Sequence, residues 1–186
     1  MMATGQEDLR VQRTKEAIRH AFTEMICEMD FEKISIKELT ERARINRKTF
    51  YLHYDSLDDL LRELQNEMVQ SFIQRTAHLK RPMDMDKVTR EFFLTNEELG
   101  KLGERLVCSG NYHYINRRMV NSVMDHTWDE YDENPYVKSI VMTYIAQSTL
   151  AVYKQWIADG KKIPLEEIIE ITTKLVCRGI DGFSEK

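Results

Sequence analysis

The chain has 186 residues, 42% of them hydrophobic and 31% charged, and a formal net charge of −4. That length suits one sizeable core, or a small N-terminal module packed on a larger helical body. No stretch reaches the roughly 20 apolar residues of a membrane span, and the start MMATGQEDLR lacks the apolar core of a secretion signal, so a cytoplasmic protein without a membrane partner is expected.

Only three prolines and seven glycines interrupt the chain, which favours long helices over a sheet and makes the expected fold class all-α. Residues 1–9 read as a loose arm. A first helix over 10–29 follows from Ile18, Ala21, Phe22, Met25, Ile26 and Met29, which recur at the three-and-four spacing of one apolar stripe. Asp30 ends it, and Phe31, Ile34 and Ile36 tuck the linker into a small core. Ser35 and Glu38 stand at capping-box spacing and open a second helix, with Leu39 and Ala43 facing inward. Arg44, Ile45 and Asn46 make a turn. Asn46 then caps a third helix carrying Arg47, Lys48, Thr49, Phe50, Tyr51 and His53. Two short helices around a three-residue turn are what a DNA-reading helix-turn-helix requires.

Charge agrees with that reading. Residues 35–54 hold Lys37, Arg42, Arg44, Arg47 and Lys48 against Glu38 and Glu41, a balance of +3 that leaves −7 for the rest of the chain. An acidic protein gains little general attraction to a polyanion, so this local patch must supply the phosphate contacts. Lys37, Arg47 and Lys48 are donors able to reach phosphate or guanine edges; Thr49 offers a hydroxyl and a methyl; Tyr51 and His53 can donate to phosphate. Phe50 and Tyr54, four apart, face inward.

A fourth helix over 56–79 starts at Ser56, three before Asp59, and carries Leu60, Leu61, Leu64, Met68 and Phe72. It connects an N-terminal domain, 1–55, to a C-terminal domain, 80–186, with Arg81-Pro82 at the boundary. Met85, Val88 and Phe92 predict a fifth helix, Thr95 with Glu98 the cap of a sixth, and a Met-, Asn- and Arg-rich helix spans about 112–131. Asn134-Pro135 opens a further helix that stops at Gly160, and Pro164 opens the last, giving about nine in total. On that last helix Leu165, Ile168, Ile169, Thr172, Leu175, Val176, Gly179 and Ile180 form one stripe.

Cys27, Cys108 and Cys177 are isolated thiols, expected to be reduced. There is no glycine-rich phosphate loop, no His-Glu-Xaa-Xaa-His and no Gly-Xaa-Ser-Xaa-Gly, and the five histidines are scattered. No enzyme activity, cofactor or metal is expected. The Met and aromatic residues of the C-terminal region serve a core first; a pocket for a small apolar or aromatic effector is the functional reading, with Trp128, Tyr144 and Gln147 as its lining.

From about residue 13 to 64 the chain resembles the N-terminal domain of TetR-type transcriptional regulators, through Phe31 to Ile36, the run KELTERARINRKTFYLHY, and above all Thr49-Phe50-Tyr51-Xaa-His53-Tyr54. The resemblance implies a three-helix DNA-binding domain followed by a helical effector and dimerisation domain. It matches Thr49, Tyr51 and His53 to positions that touch DNA, and Ser35 and Lys37 to a helix start that meets the backbone. It also implies a homodimer whose last two helices pair with those of a second subunit, placing Ile168, Thr172, Leu175, Val176, Gly179 and Ile180 at the interface. Independently, one short recognition helix reads few base pairs, and a two-fold pair multiplies specificity. Three positions depart from the family: Arg44 where glycine is usual, and Asp55 and Leu57 where basic residues are usual. The expected function is therefore a repressor that binds a palindromic operator in double-stranded DNA and is released by an effector. The alternative is a helical adaptor or co-activator acting through a protein partner.

Overall fold

The computed structural model describes residues 4–80, 84–108 and 134–179; among them are eight α-helices, one 3-10 turn and no strand. The chain divides into two compact units, Met1–Gln65 and Asn66–Lys186.

The first unit contains α1 (Thr4–Glu28), the 3-10 turn Phe31–Lys33, α2 (Ile36–Arg42), α3 (Arg47–Tyr51) and the opening turns of α4 (Leu57–Thr76). Helix α1 starts earlier than the predicted residue 10, because the apolar stripe marks only the part of a helix that is buried. Leu9 and Val11, in or beside the added turns, are exposed. The stripe itself is the unit's core: Ile18, Ala21, Phe22, Met25 and Ile26 are buried, and Phe22 meets Phe31 edge-on at 6.3 Å. Against them lie Ile34, Leu39, Ala43, Phe50, Tyr54, Leu60, Leu61 and Leu64. Full burial of a side chain such as Phe22 or Phe50 stabilises by roughly 1.5–3 kcal/mol. A polar clip closes the unit: Arg19 donates to Glu63 Oε1 at 2.7 Å, and the Tyr54 hydroxyl donates to the same oxygen at 3.2 Å. Ser56 caps α4 as predicted, accepting from the Asp59 amide at 3.2 Å.

The second unit holds the rest of α4 with α5 (Met85–Glu98), α6 (Lys101–Cys108), α7 (Pro135–Ala158) and α8 (Leu165–Arg178). Helix α5 packs on α6 and α8, and α7 on α6 and α8. The predicted helix start at Thr95 is not observed. Thr95 and Asn96 are buried inside α5, and the break comes at Gly100, whose φ of 55° is left-handed. The Thr95 and Glu98 spacing imitates a cap, but Phe92 and Phe93 just before it continue the buried face. Their rings join Tyr153 and Trp156 in edge-to-face contacts of 5.5 to 6.0 Å. The helix expected over about 112–131 lies outside the described residues.

Both later helix starts agree with the sequence. Asn134 accepts from the Tyr136 amide at 3.0 Å with Pro135 in the first turn, and α8 follows Pro164. Helix α7 ends at Gly160, φ 71°, where the Lys161 amide reaches back to the Trp156 carbonyl. Ion pairs then tie helix to helix: Arg75 to Glu91 and Glu98, Arg90 to Glu166 in a two-pronged contact at 2.6 and 2.7 Å, and Lys161 to Glu97 and Glu104. No helix among the described residues is long and apolar enough to cross a membrane.

Candidate nucleic-acid interface

The turn between α2 and α3 is built from backbone hydrogen bonds that end one helix and side-chain bonds that start the next. The Ile45 amide donates to the Thr40 carbonyl at 3.0 Å and the Arg44 amide to Glu41 at 3.2 Å, a Schellman ending with Arg44 at φ 52°. Glycine would hold that conformation freely; arginine holds it at a cost of about 1 kcal/mol. Asn46 then accepts from the Thr49 amide at 2.8 Å and starts α3 at once. At the other end, Ser35 accepts from the Glu38 amide at 3.2 Å. Leu39 and Phe50, both fully buried, anchor the two helices to the core and turn their opposite faces to solvent.

On those outward faces, Ser35, Lys37, Arg47, Lys48 and Tyr51 are exposed, with Thr49 and His53 half-buried. His53 falls just beyond α3, in the turn leading to α4, because α3 is five residues long. The cations sort into two groups. Arg42 is committed to Glu28 at 2.5 Å with Glu38 nearby; the Glu28 hydrogen bond holds its guanidinium above the ordinary value. Lys33 pairs with Asp30 at 3.1 Å. Lys37, Arg44 and Lys48, in contrast, have no carboxylate within ion-pair distance among the described residues. Arg47 is held differently: it lies over the Tyr51 ring at 5.6 Å and donates to the Tyr51 hydroxyl at 3.1 Å. The Thr49 hydroxyl donates to Asn46 Oδ1 at 3.1 Å, so its proton is already used within the motif.

The sites expected in the C-terminal region are placed otherwise. Trp128 and Ile180 lie outside the described residues. Tyr144 is 53% exposed, with its hydroxyl 3.5 Å from the Leu175 carbonyl, and Gln147 is also exposed. Both lie on the exposed side of α7 among the described residues. Ile168 and Thr172 are buried within the protomer, Thr172 at 0% and donating to the Ile168 carbonyl, so part of the stripe expected at an interface is used internally. Leu175 and Val176 are half-buried. Gly179 ends α8 in a left-handed conformation, φ 62°, which its lack of a side chain permits. Among the described residues α7 carries an exposed apolar face: Tyr136, Val137, Ile140, Val141 and Tyr144. Their three-and-four spacing is visible in the sequence, but a helix apolar on all sides does not announce which side is covered.

No cluster of metal-ligating side chains occurs among the described residues. Desolvation pushes the Cys108 and Cys177 thiols up, away from the reactive thiolate.

Comparison with known proteins finds relatives of the C-terminal region and of the whole fold. Residues 99–177 match the TetR-type family described as the transcriptional regulator C-terminal region. A Bacillus subtilis protein, the uncharacterized HTH-type transcriptional regulator YxbF, is 34% identical over 116 residues, which are 60% of this chain and 28% of that protein. This chain thus spans little more than a quarter of that curated relative's length. Among solved structures, a TetR transcriptional regulator from Streptococcus agalactiae superposes with a TM-score of 0.71 at 22% identity, covering 93% of this chain and 98% of that one. NalD of Pseudomonas aeruginosa, the secondary repressor of a multidrug efflux pump, gives 0.70 at 17% identity, over 91% and 96%.

Proposed function

We propose, for a chain that belongs to the TetR-type helix-turn-helix regulators, that it binds an inverted-repeat operator as a homodimer, represses transcription there, and leaves when a small apolar or aromatic effector binds. The observation that carries this reading is the outward set of Lys37, Arg44 and Lys48, cations without carboxylate partners among the described residues, on a capped helix-turn-helix. Surface cations left open on one face are what a phosphate backbone recruits, and releasing its counterions supplies affinity. Repression needs no further surface, since a dimer seated across a promoter excludes polymerase by its volume.

Pairing of two chains through α7 is supported by the exposed stripe from Tyr136 to Tyr144, which the Tyr144 hydroxyl joins to Leu175 on α8. Effector binding is supported by buried acceptors in α5. Thr89 Oγ1, Thr95 Oγ1 and Asn96 Oδ1 have no hydrogen-bond partner among the described residues, and they share α5 with the rings of Phe92 and Phe93. Such groups cost free energy until a polar partner reaches them.

Selection from a random duplex pool, followed by binding at several salt concentrations and light scattering of the complex, tests the reading. The expected result is an inverted repeat carrying two chains, with affinity falling steeply as salt rises. A pool without enrichment, with the protein instead held in a stable heteromeric complex, would favour an adaptor role.

A further inference from the structure

Leu52 closes α3 with its side chain 78% exposed, the most exposed large apolar group in the first unit among the described residues. A solitary exposed leucine ordinarily carries no message. This one is not solitary. It lies four residues after Lys48, so the two share a helical face, and Lys48 has no carboxylate partner among the described residues. Beside that pair, Arg47 and Tyr51 repeat the same combination one residue earlier, already bound to each other.

Most polar groups of the motif are committed inside the protein: Asn46 to the cap, Thr49 to Asn46, Tyr51 to Arg47. What remains uncommitted along this face is one ammonium and one branched aliphatic group. In the major groove, a thymine presents a 5-methyl group next to a phosphate backbone, and no other base offers that methyl. The surrounding positive charge selects a polyanion over an apolar protein surface as the occupant.

We propose that Leu52 is a specificity-determining residue that packs on the 5-methyl of one thymine in each operator half-site, while Lys48 holds an adjacent phosphate. The proposal rests on the operator-binding reading above. It adds a residue that offers no hydrogen bond and therefore lies outside the donors expected from chemistry alone.

The test replaces each thymine of the selected duplex by deoxyuridine, which deletes the methyl and nothing else, and measures binding of the unaltered chain and of Leu52→Ala. Burial of one methyl predicts that replacing the contacted thymine in one half-site weakens binding about fourfold. Leu52→Ala, which loses the contact in both half-sites, should bind the thymine duplex about sixteenfold more weakly and be indifferent to that same replacement. Leu52→Met, which keeps an aliphatic side chain at the site, should retain sensitivity. If Leu52→Ala binds like the unaltered chain, or keeps the full fourfold response, the proposal is overturned. It is equally overturned if Leu52→Ala leaves DNA binding intact but releases a bound protein partner. If the unaltered chain selects no duplex at all, the operator-binding reading fails, a result distinct from selective binding that ignores Leu52.

Discussion

In the first unit, Lys37, Arg44 and Lys48 face solvent without a carboxylate partner among the described residues, whereas in the second, Arg75, Arg90 and Lys161 each close on carboxylates of another helix. The second unit uses these cations to hold helices together; in the first, Arg19, Lys33 and Arg42 are paired as well, but Lys37, Arg44 and Lys48 stay open to solvent. Net charge alone hides this division, since the chain as a whole is −4. What matters for binding is which cations are already satisfied.

Substitutions in each unit probe that contrast. The largest effect is expected from Phe50→Ala: its ring is fully buried between the recognition helix and the core, and its removal should cost about 3–5 kcal/mol. Denaturant unfolding would show this, together with abolished DNA binding; full binding by the variant would mean that α3 does not need this core. Asn46→Ala removes the cap that starts α3 and should cost about 1 kcal/mol, read as a lower melting temperature.

Arg44→Gly separates stability from binding. Relief of the left-handed arginine is largely offset by the added entropy of an unfolded glycine, leaving a gain of about 0.5 kcal/mol at most. One cation disappears at the same time. The variant should therefore melt no lower and bind DNA more weakly; unchanged binding would remove Arg44 from the interface. The smallest effect concerns the second unit in acid. Hydrogen bonds from Arg75 and Arg90 hold the Glu98 and Glu166 carboxyls below their ordinary 4.5. Their contribution is complete above that value and disappears as pH falls through the lower folded values. Melting curves should thus decline modestly below about pH 4.5, and Arg75→Ala should flatten part of that decline.

Much of the fold was legible because its signals are local. Ser35, Asn46, Ser56 and Asn134 each bind an amide two or three residues ahead, a relation that sequence spacing states directly. The stripe on α1 was legible for the same reason. Thr95 misled because a cap and a buried threonine look alike until the helix before it is seen to continue. Which faces of α7 and α8 are covered within the chain was not legible: both are apolar, and the covering depends on α5, far away in sequence, packing on α8. In the helix-turn-helix, residue types identified the candidate donors, but their availability did not follow from sequence. Only the structure shows Arg42 bound to Glu28, Arg47 to Tyr51, and Leu52 standing in solvent.

The division of cations is best tested by the salt dependence of binding to the selected duplex, measured by fluorescence anisotropy for the unaltered chain, for Lys37→Ala with Lys48→Ala, and for Arg90→Ala. The slope of log affinity against log salt should shallow by about 0.9 for each phosphate that the lysine variant no longer neutralises, and stay unchanged in Arg90→Ala. An unchanged slope without the two lysines, or an equal change on removing Arg90, would refute the division.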